Sequence, residues 1–229
     1  MTYNIIATGS RGNAVLINDS ILIDCGIPWK KLITYEDKIR LVLLTHKHGD
    51  HFTPSTVKTL HKRHPAIRWG CCEWMVGPLL EAGVDKRVVD VFFLEKHTIY
   101  FGLANVMPVP LVHDVPNCGY RVFFPVVACD SCHTIGKVES LFYATDCATL
   151  DGVEVKDCDL YMIEANHNRE EIGARISEKR ASGEYSYEVY ARRNHLSQEQ
   201  ALDWLAANSG PHSKYVFLHQ HQERQNNAK

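Results

Sequence analysis

The residues of this sequence best suited to chemistry follow one short apolar segment. Leu41–Leu44 contains no turn residue, and such a run is typical of a buried strand. His46 and His48 come next, and in extended geometry both imidazoles point to one side. Gly49 permits a bend that returns the following residues to the same region. The pattern predicts a metal site, although a polar, histidine-rich surface loop is the alternative. Its candidate ligands are His46, His48, Asp50 and His51.

Further candidate ligands each follow a later apolar segment, and they are His113, Asp146 and His219. A lone histidine in such a place is more often structural than a ligand. The repeated plan, an apolar strand that ends in one ligand, brings side chains from distant parts of the chain to one edge of a sheet. We therefore expect these residues to meet the His46–His51 motif. His221 would lie on the same strand face as His219 and is the alternative last ligand.

The elements that must position these residues are short strands with helices between them. Three strands over residues 3–24 are expected to form an antiparallel meander. A helix is expected over 53–64, with the Thr53 hydroxyl as its cap and Pro54 in its first turn. The other expected helices are 73–82, 169–182 and 195–208. Further strands are expected at 39–44, 67–70, 88–94, 98–101, 104–110, 119–124, 140–144, 160–165 and 215–219. This alternation predicts an α/β sandwich, with residues 1–229 as a single domain.

Composition excludes several classes of protein. The chain has 229 residues, 45% of them hydrophobic and 23% charged, as in ordinary globular proteins. A net charge of −2 argues against a generally basic nucleic-acid binder. No run is long enough to span a membrane, and Met1–Asn4 lacks the basic start of a secretory signal. A cytoplasmic location is expected, without a membrane partner or an evident obligatory protein partner.

Eight cysteines are scattered along the chain, as expected for reduced thiols in the cytoplasm. Cys129, Cys132 and His133 form the one suggestive cluster. No second CxxC or HxxxH partner follows at the usual distance. A polar hairpin loop is therefore our interpretation, and a second metal site is the alternative.

These motifs resemble those of the metallo-β-lactamase superfamily, in particular its phosphodiesterase and nuclease branch. The resemblance is greatest to the small, ribonuclease Z-like hydrolases of the YycJ/WalJ type. The segments that carry it are Gly9-Ser10-Arg11-Gly12-Asn13, Thr45–His51, Glu164-Ala165-Asn166-His167, His195-Leu196-Ser197 and His219. The resemblance implies an αββα sandwich, in which two mixed sheets are flanked by helices, with a dinuclear site at one edge.

The resemblance also implies two sets of metal ligands bridged by Asp146. The first metal would take His46, His48 and His113, and the second Asp50, His51 and His219. Two divalent ions are thus expected; these ligands suit zinc, with manganese as the alternative. Such a pocket is electropositive and favours phosphate, and a hydroxide that bridges the metals would attack it.

Glu164 and His195 are expected to form a proton-donating pair for the leaving group, and Asp50 joins them among the catalytic candidates. The structural alternative is that His195 caps a helix beginning at Leu196. The candidate substrate-binding residues are Ser10, Asn13, Asn166 and His167. The turn that contains Ser10 and Asn13 either binds an anion through its backbone N–H groups or is a plain hairpin connection.

Residues 169–193 combine arginine and lysine with Tyr185, Tyr187 and Tyr190. Such a mixture can bind a phosphate backbone and stack bases, so DNA or RNA is the expected substrate. Interspersed glutamates also allow an ordinary solvated helix. The competing functions are a hydrolase of a cyclic phosphodiester, thioester or lactone, and an inert metal-binding module.

Overall fold

The structure is a computed structural model that describes residues 1–125 and 138–220. Cys129, Cys132, His133 and His221 lie outside the described residues. The described chain contains two six-stranded mixed sheets. The first has the order β1-β2-β3-β4-β5-β6, and its strands are Tyr3–Ala7, Ala14–Ile17, Ile21–Ile23, Leu41–Leu44, Arg68–Cys72 and Val89–Phe92. Strands β1 to β3 form the expected antiparallel meander, and β3 to β6 run parallel.

The second sheet has the order β12-β11-β10-β9-β8-β7. Its strands in chain order, β7 to β12, are Thr98–Tyr100, Ala104–Leu111, Asn117–Phe124, Glu139–Ala144, Leu160–Glu164 and Lys214–Leu218. Strands β10, β11 and β12 run parallel, and β7 to β10 pair antiparallel. In both sheets, parallel strands therefore end together at one edge.

Side chains of both sheets fill a core between them, which explains the uninterrupted apolar run of β4. Leu41 and Leu43 face this inter-sheet core with Val106, Tyr120 and others. Val42 and Leu44 face the opposite layer of helices. A strand buried on both faces needs no alternation of polar residues.

Five α-helices occur within the described residues. They are α1 (Pro54–Arg63), α2 (Val76–Glu81), α3 (Arg169–Ser182), α4 (Glu188–Asn194) and α5 (Gln198–Asn208). Helices α1 and α2 cover the first sheet, and α5 covers the second, which confirms the αββα sandwich. Helices α3 and α4 share a separate small core. No described helix combines the length and the apolar character needed to cross a bilayer.

Two local predictions were wrong, and one helix was missed. Thr53 is the N-cap of α1, but its side chain makes no capping hydrogen bond. The helix expected from residue 195 begins at Gln198, because Ser197 and Gln200 form a reciprocal capping box. Helix α4 was not predicted at all; of its seven residues only Ala191 is buried, so it lacks the apolar periodicity that marks a helix.

Candidate metal centre

The candidate ligands lie beyond the ends of β4, β8, β10 and β12, where the two sheets present the same edge. Asp24 and His219 directly follow β3 and β12, and Asp146 lies two residues after the end of β10; their φ angles are positive, at 61°, 51° and 53°. Non-glycine residues rarely adopt this conformation, and such outliers cluster at functional sites. The backbone thus turns at each strand end, just where a side chain joins the centre.

Three imidazoles and one carboxylate form the first group of ligand atoms. His46 Nε2 and His113 Nε2 lie 3.1 and 3.2 Å from His48 Nδ1. Asp146 Oδ2 lies 3.5 Å from His46 Nε2 and 3.8 Å from His113 Nε2. A tetrahedral ion with bonds of about 2.0–2.1 Å needs ligand atoms about 3.3 Å apart. The spacing therefore fits a zinc-sized ion, and His46 and His48 do face the same side as predicted.

The second group shares Asp146 with the first. His51 Nε2 lies 3.3 Å from Asp146 Oδ2 and 3.7 Å from Asp50 Oδ2. His219 Nε2 lies 3.4 Å from Asp146 Oδ1 and 3.4 Å from Asp50 Oδ2. The structure thus brings all seven predicted metal ligands into two adjoining groups, and Asp146 belongs to both.

The chemistry of Asp146 favours a cation at this place. Its Oδ1 atom is buried and makes no hydrogen bond within the described residues, and His219 Nε2 lies 3.4 Å from it. A buried carboxylate oxygen that accepts no hydrogen bond is costly unless a positive charge compensates it. Burial opposes ionisation of Asp146, but the charge of His51 and hydrogen bonds from His46 and His51 hold its pKa well below the ordinary value. In turn, although burial acts against it, hydrogen bonds to Asp50 and Glu164 raise the pKa of His219 to about 10. The centre therefore attracts positive charge.

Asp24 fixes the His46–His51 segment through hydrogen bonds. Its carboxylate accepts hydrogen bonds from the Thr45 N–H and hydroxyl, at 3.0 and 2.9 Å, and lies 2.7 Å from His51 Nδ1. Because Nδ1 is held there, His51 presents Nε2 to the centre. Sequence reasoning gave Asp24 no role. The available signal was a lone carboxylate at the end of a buried strand.

The glycine that the ligand segment requires is Gly26 on a neighbouring loop, and not Gly49 within the bend as predicted. Gly49 does not have a positive φ, and a side chain there would meet nothing within 4 Å. At Gly26, a Cβ atom would lie 1.8 Å from the Asp50 carbonyl oxygen. The close approach of the 24–26 loop therefore requires Gly26.

The turn containing Ser10 and Asn13 is a hairpin connection between β1 and β2. Three of its backbone N–H groups are engaged: Gly12 donates to Gly9 O, Gly9 to Asn13 Oδ1, and Asn13 to Asp50 O. These N–H groups are therefore not directed at an anion. Ser10 is exposed, whereas Asn13 is buried with its amide nitrogen 2.8 Å from His51 Nε2. The contacts favour Asn13 as a positioning residue, and substrate contact by Ser10 stays a prediction.

Glu164 holds two histidines of the centre in place. It is fully buried, and its Oε1 lies 2.6 Å from His195 Nδ1 and 3.1 Å from His219 Nδ1. Its Oε2 accepts from the Cys147 N–H at 3.0 Å. His195 is no cap for a helix at Leu196, because α5 begins later and is capped by Ser197. Burial lowers the pKa of His195, but the hydrogen bond to Glu164 and the negative charges of Glu164 and Asp146 together outweigh it and raise the pKa above the ordinary value.

Comparison with known proteins gives one family. The family described as the β-lactamase superfamily domain matches residues 19–219. This chain belongs to the metallo-β-lactamase superfamily. None of the curated protein sequences compared with it matches significantly.

Solved structures of the superfamily have the same fold. Human tRNase Z, short form, has a TM-score of 0.68 and 16% identity, covering 97% of this chain and 93% of that one. Zn²⁺-bound PqqB from Methylobacterium extorquens has a TM-score of 0.66 and 13% identity, covering 96% and 89%. A diphosphatase of the PhnP family has a TM-score of 0.56 and 14% identity, covering 95% and 85%. At these identities the similarity shows the fold.

Two predicted substrate-binding residues lie beside the centre of this metallo-β-lactamase domain. The Asn166 amide donates a hydrogen bond to the His219 carbonyl at 3.0 Å and lies 3.1 Å from His219 Nδ1. His167 is 7% exposed, and its Nδ1 is buried without a hydrogen-bond partner in the described chain. Asn166 thus positions the candidate ligand His219, while His167 Nδ1 forms no hydrogen bond with the described residues.

Asp114 was missed by sequence reasoning, and Tyr190 was named only among the aromatic residues of 169–193. Asp114 Oδ1 lies 3.1 Å from His113 Nε2 and 3.6 Å from His48 Nε2. Its Oδ2 accepts a hydrogen bond from the Tyr190 hydroxyl on α4. The position of Asp114 next to His113 was a weak signal. The contribution of Tyr190 depends on where α4 packs, which no local pattern indicates.

Proposed function

We propose that this chain is a metal-dependent hydrolase that holds two divalent cations. The carrying observation is that two groups of converging ligand atoms share Asp146. One cation would be held by His46, His48, His113 and Asp146, and the other by Asp50, His51, Asp146 and His219. Imidazole and carboxylate ligands suit zinc, the ion named for the similar PqqB structure, and also manganese. Cations held there would supply Lewis-acid stabilisation of substrate charge and a nucleophile at neutral pH.

The substrate class that this centre supports best is a phosphodiester. Two divalent cations outweigh the charges of Asp50 and Asp146, which leaves the edge electropositive and attractive to an anion. Two proteins of similar fold are named as a tRNase and a diphosphatase, which supports reaction at phosphorus.

Asp50 has a 23% exposed side chain, against 3% for Asp146. We therefore assign Asp50 a catalytic role at the substrate side of the centre as well.

His195 is suited to protonate the leaving group. Its Nδ1 is held by Glu164, and its Nε2 makes no hydrogen bond to any residue in the described part of the chain. The Glu164 carboxylate stabilises the protonated imidazole and fixes the ring, so that a proton on Nε2 is available to a departing alkoxide. Glu164 acts through His195 and is a positioning residue.

Within this class, DNA or RNA is the proposed substrate, and a small phosphodiester is the second candidate. The diphosphatase of similar fold supports the second candidate. Salt separates them, because a nucleic acid that contacts several cationic groups loses affinity steeply between roughly 50 and 200 mM salt. Turnover of a small substrate should change much less.

The test is hydrolysis by the purified chain with added zinc or manganese. We expect cleavage of methyl 4-nitrophenyl phosphate and of labelled DNA or RNA, with a thioester and a lactone left uncut. His48→Ala should lower kcat/KM by more than about 100-fold, because loss even of a residue that merely orients a metal ligand costs 10–100-fold. His97→Ala is the matched control, since His97 is exposed and its ring contacts Asn105 rather than the centre.

Cleavage of the thioester or lactone without cleavage of either phosphodiester would contradict the proposed substrate. Full activity of His48→Ala would contradict the proposed ligands. In both cases His97→Ala should behave as the unmodified chain.

A further inference from the structure

Helices α3 and α4 form a small unit at the substrate side of the centre. They pack through Ile172, Ile176 and Ala191, which are buried apart from the cores of the two sheets. Lys179 on α3 donates to Glu188 on α4 at 2.6 Å. The Tyr190 hydroxyl donates to Asp114, which contacts the ligand His113. Through this bond α4 reaches the rim of the first group of ligands.

A cavity of about 240 Å³ lies between this unit and the segment after β11. Pockets that enclose a whole drug-sized ligand measure roughly 300–1,000 Å³, so this cavity suits one ring system. Its lining includes Asn166, His167, Glu171, Arg175, Tyr187 and Glu188. Because Asn166 also contacts His219, the cavity adjoins the second group of ligands.

Tyr187 lines the cavity beside Tyr190. Its side chain is half-exposed, and its ring centroid lies 5.7 Å from that of Tyr190, whose hydroxyl donates to Asp114 at the rim of the centre. An aromatic ring in this place offers a flat surface to a group attached to a phosphate at the metals.

The polar groups of the cavity favour an uncharged ring over a second phosphate. Glu171 and Glu188 line it with one arginine, Arg175, so the charged groups of the lining are more negative than positive and disfavour a second anion. His167 lines it too, and its buried Nδ1 has no hydrogen-bond partner within the described residues. A buried polar atom of this kind is stabilised when a ligand supplies the missing partner.

We propose that this cavity binds the nucleobase next to the scissile phosphate, with Tyr187 stacking on the base and His167 Nδ1 hydrogen-bonded to its edge. The inference rests on the proposed phosphodiesterase function and narrows the substrate to a nucleic acid whose base is unpaired at the cleavage point. A base within a duplex would already be stacked and paired, and it could not enter a cavity of this size.

The test uses dinucleoside monophosphates, which contain a single scissile bond, and two analogues that each lack one base. Tyr187→Ala should lower kcat/KM on the complete dinucleotide by about 5- to 150-fold, the change that corresponds to one base–aromatic stack. On one of the two abasic analogues, Tyr187→Ala should cause no loss in kcat/KM. The base missing from that analogue is then the one that the cavity binds. Tyr187→Phe keeps the ring and should retain most activity.

Tyr185→Ala is the matched control, because Tyr185 is 85% exposed and does not line the cavity. His167→Phe, which keeps a ring but no ring nitrogen, should narrow the differences in kcat/KM among dinucleotides of different bases. An equal loss for Tyr187→Ala on complete and abasic substrates would overturn the proposal.

Two further measurements separate this proposal from the proposed function. Hydrolysis of methyl 4-nitrophenyl phosphate, which has no base, tests the proposed function by itself; if no form of the chain hydrolyses it, the proposed function fails. Binding of adenosine 5′-monophosphate, followed by calorimetric titration, tests the cavity without turnover. We expect weaker binding by Tyr187→Ala and unchanged binding by Tyr187→Phe. Equal affinity of Tyr187→Ala and the unmodified chain would contradict the subsite.

Discussion

On the sheet side of the centre, buried partners fix the ligand rings, whereas on the α3–α4 side a few apolar contacts hold an exposed surface. Asp24 holds His51 and Glu164 holds His219, each through Nδ1. By contrast, Tyr187 is half-exposed, and the α3–α4 core consists of Ile172, Ile176 and Ala191. Metal ligands need fixed geometry, while a surface that receives varied substrates benefits from adaptable packing. If this division holds, substitutions on the sheet side should change turnover and metal binding most, and substitutions on the α3–α4 side should change them least.

The largest effect on turnover without loss of metal is expected for His195→Ala. The variant should lose about 10²- to 10⁴-fold in kcat on a phosphodiester with an alkoxide leaving group, because it lacks the proton donor. With 4-nitrophenolate, which leaves without protonation, the loss should be small. Kinetics on the two substrates and metal analysis of the variant check this. Equal losses on both substrates would indicate a structural role.

Asp24→Asn should weaken metal binding by about 10- to 100-fold, because Asp24 orients His51 without being a ligand. Competition with a chelator of known affinity measures the change. Unaltered metal affinity would show that the orientation of His51 by Asp24 does not contribute to metal binding.

Ile176→Ala should loosen the α3–α4 unit by about 2 kcal/mol, the lower end for truncation of a buried isoleucine. Hydrogen exchange should become faster in residues 169–194, and metal affinity should stay the same. Faster exchange of β4 and β10 together with metal release would show that the two sides are one cooperative unit.

The smallest effect is expected from the Lys179–Glu188 ion pair and depends on pH. The hydrogen bond from Lys179 lowers the pKa of Glu188 to about 2 from an ordinary 4.5. The pair therefore stabilises the folded chain above pH 4.5, and this contribution is lost as the pH falls towards 2. Glu188→Gln should lower the free energy of unfolding by about 1 kcal/mol at pH 7.

Urea denaturation of both chains at pH 7 and at low pH measures this difference. The two chains should converge in stability as Glu188 is protonated. A constant difference across this range would contradict the ion pair as its cause.

Much of the sheet side of the centre could be predicted from local sequence. His113, Asp146 and His219 each follow an apolar strand. Because parallel strands of a covered sheet end together, these residues are expected at the same edge. The structure brings these residues to the His46–His51 segment, and their roles as ligands stay predictions. The capping box of Ser197 and Gln200 was also visible in the sequence and would have corrected the start of α5.

The α3–α4 side of the centre could not be predicted in the same way. Helix α4 carries one buried residue, so nothing in its pattern indicates where it packs. The contact of Tyr190 with Asp114 depends on that packing, as does the cavity that Tyr187 and His167 line. The need for glycine at position 26 rather than 49 likewise depends on a close approach between distant loops. Such features follow from tertiary contacts and not from local preference.

The central claim is that Asp146 joins two metal sites, and metal stoichiometry tests it most directly. Elemental analysis of the purified chain after equilibration with zinc should give about two ions per chain. Asp146→Ala should retain fewer than two and should lose phosphodiesterase activity. Two tightly bound ions in Asp146→Ala, with activity preserved, would contradict the account.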